Sequence, residues 1–199
     1  MITSPDTTDK RILILRAAVH LLANCGFHGF SMKQLADRAG VAAGTLYLYF
    51  KDRDDLIRQL HQEIIRAFAQ QVLGDHDPHQ SLQQQYFSIC RKCWEFCRDN
   101  PDILVSKGQF DHLPPDVLRD HHKDAWEAFE PLRILFDQCR TKGLVKPLSD
   151  EILATLCIDA FLSLARKLHL GLVFEEDLDL HPIIHATWDA IALRPDNSI

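Results

Sequence analysis

The stretch SMKQLADRAGVAAGTLYLYF, residues 31–50, decides how this chain is read. Ser31 and Gln34 form a Ser-x-x-Gln box, in which each side chain satisfies an exposed backbone amide near the other, so a helix begins there. It lasts only to about Ala39, because Gly40 interrupts it before Val41 and a further short helix over residues 42–49. Two short helices about a glycine turn make a helix-turn-helix, whose second helix is narrow enough to enter the major groove of DNA. Ala36 is small where the two helices must approach, and Leu35 and Val41 supply the apolar lock between them. Gly44 permits close approach, while Thr45, Tyr47 and Tyr49 offer hydroxyls to phosphates or bases.

Outward from this stretch the periodicity stays helical. A first helix is expected over residues 8–24, with Leu15, Ala18, Leu21 and Leu22 at three-and-four spacing and Gly26 just past its end. Asp52 caps a fourth helix reaching about Leu73, with Asp54 and Asp55 on the positive end of its dipole. Residues 74–80, rich in Gly, Asp and Pro, read as a linker. Further helices are expected over 81–99, 102–110, 115–141, 150–172 and 180–192, with Pro131 kinking or splitting the third of these. No run alternates as a half-buried strand does, so the fold class is all-α. A helix-turn-helix head over residues 1–53 is joined by a connecting helix, 52–73, to a body of residues 74–199.

Composition agrees with that organisation. The chain has 199 residues, 46% of them hydrophobic and 25% charged, which excludes a disordered or collagen-like chain. No stretch approaches the roughly 18 uninterrupted apolar residues of a membrane span, and the polar first ten residues lack the apolar run of a signal peptide. A cytoplasmic protein without membrane contact is expected, its six cysteines thiols. The net charge is −6, yet residues 1–53 carry seven basic groups against four acidic ones, a net +3 that leaves −9 for the rest. A nucleic-acid contact therefore belongs to the head.

At these residues the sequence resembles the TetR family of bacterial transcriptional regulators. The resemblance runs from about Arg11 to Leu56, through Ile14-Leu15, Ala17-Ala18, Gly26-Phe27, Leu35-Ala36 and Ala39-Gly40-Val41. It rests above all on Gly44-Thr45-Leu46-Tyr47 followed by Tyr49-Phe50-Lys51. By position it implies a DNA-contacting set of Ser31, Lys33, Gly44, Thr45, Tyr47, Tyr49, Lys51 and Arg53, the last two placed to hold phosphates beside a helix start. Ala42-Ala43 departs from relatives that carry a serine and a basic residue there, which removes a helix cap and a DNA contact.

For the body the resemblance implies a small-molecule sensor and a homodimer. Phe87, Cys90 and Trp94 share one helix face, and Trp126 and Phe129 follow on a later helix, a set suited to an apolar or aromatic effector. Residues 150–172, with Ile152, Leu156, Cys157, Ala160, Phe161, Leu164 and Leu168, together with Ile183, Ile184, Trp188 and Ile191, are expected to build half of a four-helix dimer seam. The expected function is a repressor released from double-stranded, near-palindromic operator DNA by that effector, through a change in tilt of the connecting helix. The alternative is a DNA-bound factor of the same fold whose partner is a protein. An enzyme is disfavoured, since no nucleophile, base and orienting acid form a pattern. No cofactor or metal is expected: Cys90, Cys93 and Cys97 on one helix lack a fourth ligand, and His181 and His185 read as surface residues.

Overall fold

The computed structural model describes residues 9–74, 77–110 and 113–194. Its helices are α1 (Lys10–Cys25), α2 (Met32–Ala39), α3 (Ala43–Tyr49), α4 (Arg53–Leu73), α5 (Leu82–Asp99), α6 (Pro101–Phe110), α7 (Pro115–Ala128), α8 (Glu130–Thr141), α9 (Asp150–His169) and α10 (Leu180–Ile191). Among the described residues the only extended pairing is one antiparallel bridge between Val145 and Ala192, so the all-α class holds. The expected start at Thr8 and the middle of the 74–80 linker, Asp75 and His76, lie outside the described residues.

Local chemistry accounts for most helix ends. Ser31 and Gln34 close their box in both directions: the Gln34 amide donates to Ser31 Oγ at 3.2 Å and the Ser31 amide to Gln34 Oε1 at 2.7 Å. Asp52 Oδ1 accepts from the Asp55 amide at 2.8 Å, and Asp55 returns the favour to the Lys51 amide at 2.9 Å. Gly40 turns the chain between α2 and α3 at φ +67°, a left-handed conformation that costs a residue with a Cβ about 1 kcal/mol. Ala42, lacking a hydroxyl or carboxylate, leaves the start of α3 without a side-chain cap.

Of the two alternatives open at Pro131 the structure shows the split, and one expected helix end is corrected. The helix expected over 115–141 is two helices, broken at Phe129, whose ψ of 18° precedes Pro131 in the first turn of α8. The helix expected to reach Leu172 stops at His169, because Gly171 adopts φ +68° and the Leu172 amide folds back onto the Lys167 carbonyl at 2.9 Å.

The chain forms two compact units that do not follow the expected division at residues 73 and 74. Unit one comprises residues 1–68 and 100–128, and unit two residues 69–99 and 129–199. Helices α6 and α7, assigned to the body from sequence, fall in unit one. The reason for α6 is its packing on α1 and the turn after it, where Gln109 Oε1 accepts from the Phe27 amide at 3.0 Å and Asp102 Oδ2 lies 3.0 Å from His20 Nδ1, while α7 joins through His121, stacked on His61 of α4. In unit one Ile14, Leu15, Leu22, Leu35, Leu46, Phe50 and Leu56 are fully buried. Unit two closes around Tyr86, Cys90, Leu153, Cys157, Phe161 and Ile191 from α5, α9 and α10.

Candidate nucleic-acid interface and effector region

Helix α3 is anchored by Leu46 and by Phe50 at its end, both fully buried. That anchorage turns Tyr47, 58% exposed, and Tyr49, 38% exposed, outward. Two large rings in solvent are unfavourable without a partner, and the hydroxyl of each suits a phosphate or base edge. Gly44 is exposed, and a Cβ built on it meets nothing within 4 Å. Thr45 is half-buried beside them, while Lys33 and Lys51 are exposed and free to reach a phosphate.

Two of the expected contacts are otherwise engaged. The Ser31 hydroxyl accepts from the Gln34 amide and donates to Gln34 Oε1 at 3.0 Å, so its one proton is used within the cap. A phosphate oxygen, which only accepts, meets the Ser31 hydroxyl only if it leaves Gln34. Arg53 is the more fully engaged of the two. Its Nη1 donates to the Phe30 carbonyl at 3.0 Å, and its guanidinium lies 4.6 Å from the centre of the Phe30 ring and 5.7 Å from that of Phe27. Nε and Nη2 are buried with no partner. Arg53 thus clamps the connection between α1 and α2 in the free chain. Replacing it with alanine is expected to lower stability by about 1–3 kcal/mol, measured by chemical denaturation. The salt dependence of DNA binding should not change, because no phosphate contact is removed.

A residue missed from sequence is Leu48, at 82% exposure the barest large apolar side chain on α3. Its exposure follows from the register of Leu46, a signal the sequence did carry.

The expected effector residues are divided between the units. Phe87, Cys90, Trp94 and Phe129 belong to unit two and Trp126 to unit one. Cys90 is fully buried and Trp94 8% exposed, while Phe87 meets His185 edge-on at 4.6 Å and Trp188 at 6.3 Å between ring centres. Beside them the Tyr86 hydroxyl donates to Thr187 Oγ1 at 2.9 Å, which donates in turn to the Ile184 carbonyl at 2.9 Å. Trp126 Nε1 donates to His122 Nε2 at 3.3 Å in unit one.

Cys90, Cys93 and Cys97 are all buried, as packing residues are. Burial pushes the Cys90 thiol well above its ordinary range and Cys157 up to about 12, and a hydrogen bond with Cys97 helps push Cys93 up. Cys90, Cys93 and Cys157 stay protonated, which suits core packing and not thiolate chemistry. Among the described residues no group of three His, Cys, Asp or Glu side chains is placed to hold a metal, and no helix is long and apolar enough to cross a membrane. His181 and His185 are exposed, with ring centres 4.4 Å apart.

Unit one contains a different histidine pair. His121 is the one buried residue of α7, 2% exposed, and stacks on His61 of α4 at 4.6 Å with planes 26° apart. His61 in turn lies 4.5 Å from the Phe110 ring. His61 Nδ1 and both nitrogens of His121 are buried without a hydrogen-bond partner. Burial, and secondarily His121, lowers the His61 pKa to about 4, and burial lowers that of His121.

Comparison with known proteins agrees with this architecture. Residues 14–60 match the family described as bacterial regulatory proteins, tetR family, and residues 81–192 match the tetracyclin repressor-like C-terminal domain. An uncharacterized HTH-type transcriptional regulator of Haemophilus influenzae is 31% identical over 191 residues, 92% of this chain and 96% of that one. This chain belongs to the TetR family of transcriptional regulators. A putative TetR-family regulator from Vibrio parahaemolyticus superposes with a TM-score of 0.82 at 33% identity, covering 94% of this chain and all of that one. The fatty acid metabolism regulator protein of Bacillus subtilis is 38% identical over 96 residues, 48% of this chain and 50% of that one. FadR from Bacillus subtilis, solved in complex with stearoyl-CoA, shares the fold at 17% identity and a TM-score of 0.71, over 89% of this chain and 95% of that one. The chain is thus a TetR-family transcriptional regulator with a helix-turn-helix DNA-binding head.

Proposed function

We propose that this regulator is a cytoplasmic repressor that binds a near-palindromic operator as a homodimer and leaves it on binding a long-chain acyl compound. The observation that carries the reading is the pairing of an outward-facing α3 with a C-terminal part that matches a tetracyclin repressor-like domain. One seven-residue helix reads too few bases for a specific site, and two-fold symmetry doubles the reading. The acyl class is supported by the relatedness to a fatty acid metabolism regulator, together with the stearoyl-CoA complex of a protein of this fold. Phe87, Cys90, Trp94 and Phe129, all of unit two, are the proposed effector contacts.

The dimer is supported by α9. Ile152 and Leu156 remain 47% and 40% exposed, and Ala160 and Ser163 continue the same exposed stripe of small and apolar residues. Replacing Leu156 with aspartate is expected to convert the dimer to monomer in sedimentation experiments at micromolar concentration without lowering helix content. A dimer that survives the change places the seam elsewhere.

The function is tested by gel shift on the DNA flanking the gene, with stearoyl-CoA titrated into the complex. Tight, competitor-resistant binding that stearoyl-CoA reverses supports the reading. Binding no tighter than to random DNA contradicts the repressor, and specific binding indifferent to stearoyl-CoA contradicts the effector class.

A further inference from the structure

Helix α3 presents an outermost line as definite as its buried one. Successive residues of a helix are turned by about 100°, so the positions two before and two after fully buried Leu46 fall opposite it, about 40° apart. Those positions are Gly44 and Leu48, with Thr45 and Tyr47 flanking them. The line is therefore bare backbone at Gly44, with open space where a Cβ would stand, followed by the 82% exposed side chain of Leu48.

The chemistry of this surface is narrow. From Ala42 to Tyr49 the sequence AAGTLYLY contains no Arg, Lys, Asn, Gln, Asp or Glu. Those are the side chains that read guanine, adenine and cytosine by paired or charged hydrogen bonds. What α3 offers instead is methyl groups and three hydroxyls, with exposed Lys33 and Lys51 outside it to meet phosphates and a net charge of +3 on residues 1–53. In the major groove the apolar feature of a base edge is the C5 methyl of thymine. We propose that Leu48 reads thymine methyl groups, so that each operator half-site carries thymine at the base pairs beneath the Gly44–Leu48 line. This inference rests on α3 being the DNA-reading helix. Duplex DNA is the occupant that the flanking lysines favour, where an apolar protein partner would leave them unmatched.

The test begins with the full-length protein enriching duplexes from a random-sequence pool. Each thymine of the enriched duplex is then replaced in turn by deoxyuridine, which differs only in lacking the methyl. At one or more thymines in each half-site the replacement should weaken binding about fourfold, the effect of withdrawing one buried methyl from contact. Leu48→Ala should melt with the natural chain, bind the thymine duplex more weakly, and be indifferent to deoxyuridine at those same positions. If no deoxyuridine weakens binding, or if it weakens Leu48→Ala as much as the natural chain, the inference is overturned while α3 still reads DNA. If no sequence is enriched, the DNA-reading role of the head fails and the inference with it.

Discussion

A Gly44→Leu variant is expected to melt no lower than the natural chain and to bind its operator on the order of a hundredfold more weakly. The two halves of this result have separate causes. In the free protein Gly44 is not among the glycines at positive φ, and a Cβ there meets no atom within 4 Å. Leucine therefore enters without strain and raises helix stability by up to about 0.8 kcal/mol over glycine. On DNA the same position lies on the outermost line of α3, where a side chain holds the helix away from the base edges. A loss of about 1.4 kcal/mol in each half-site is tenfold, and the two half-sites of a dimer multiply it. Thermal melts and fluorescence anisotropy on one preparation separate the effects. Gly40→Leu is the contrasting variant, since φ of +67° there makes it lose stability. Unchanged operator affinity in Gly44→Leu would mean that α3 does not approach DNA along this line.

The second large effect is on stability in acid. His61 titrates at about 4 in the folded chain, against about 6.5 for an unfolded histidine, because burial and the neighbouring His121 disfavour its charge. A depressed pKa contributes stability that is complete above the unfolded value and is lost as pH falls towards the folded one. Between pH 6.5 and 4 the chain should thus lose on the order of 3 kcal/mol from His61, and more from His121, whose pKa burial also lowers. Asp124 and Asp120 oppose the lowering at His121, and Arg58 adds to it. Urea midpoints measured across this window should fall steeply for the natural chain. They should fall much less for the variant carrying both His61→Phe and His121→Phe, which keeps the ring stack without the proton sites. Equal pH dependence of the two proteins would remove the pair as its cause.

The sequence made the head's architecture legible because its signals are local. The Ser31–Gln34 box, Gly40 and the Asp52 cap each depend on residues three or four apart, and each forms as expected. Pro131 announced a break, and only its form as two separate helices was left to the structure. Features set by distant segments were not legible. Arg53 looks like a phosphate contact in the chain, and nothing near it tells that Phe27 and Phe30 will lie within reach of its guanidinium. His121 sits among Asp, Arg and Lys and reads as surface, yet it is the residue α7 buries. The affiliation of α6 with α1 likewise depends on Gln109 and Asp102, polar side chains that carry no periodic signal. Helix register could have revealed Leu48, since a leucine two positions from the buried Leu46 must face outward.

The central claim is that α3 of two subunits reads one near-palindromic site. Hydroxyl-radical footprinting of the full-length protein on DNA flanking its gene tests it most directly. The account predicts two protected half-sites whose centres lie about one helical turn or a whole multiple of it apart, both lost together in Gly44→Leu. Protection spread evenly along the DNA, or a footprint that Gly44→Leu leaves unchanged, would contradict it.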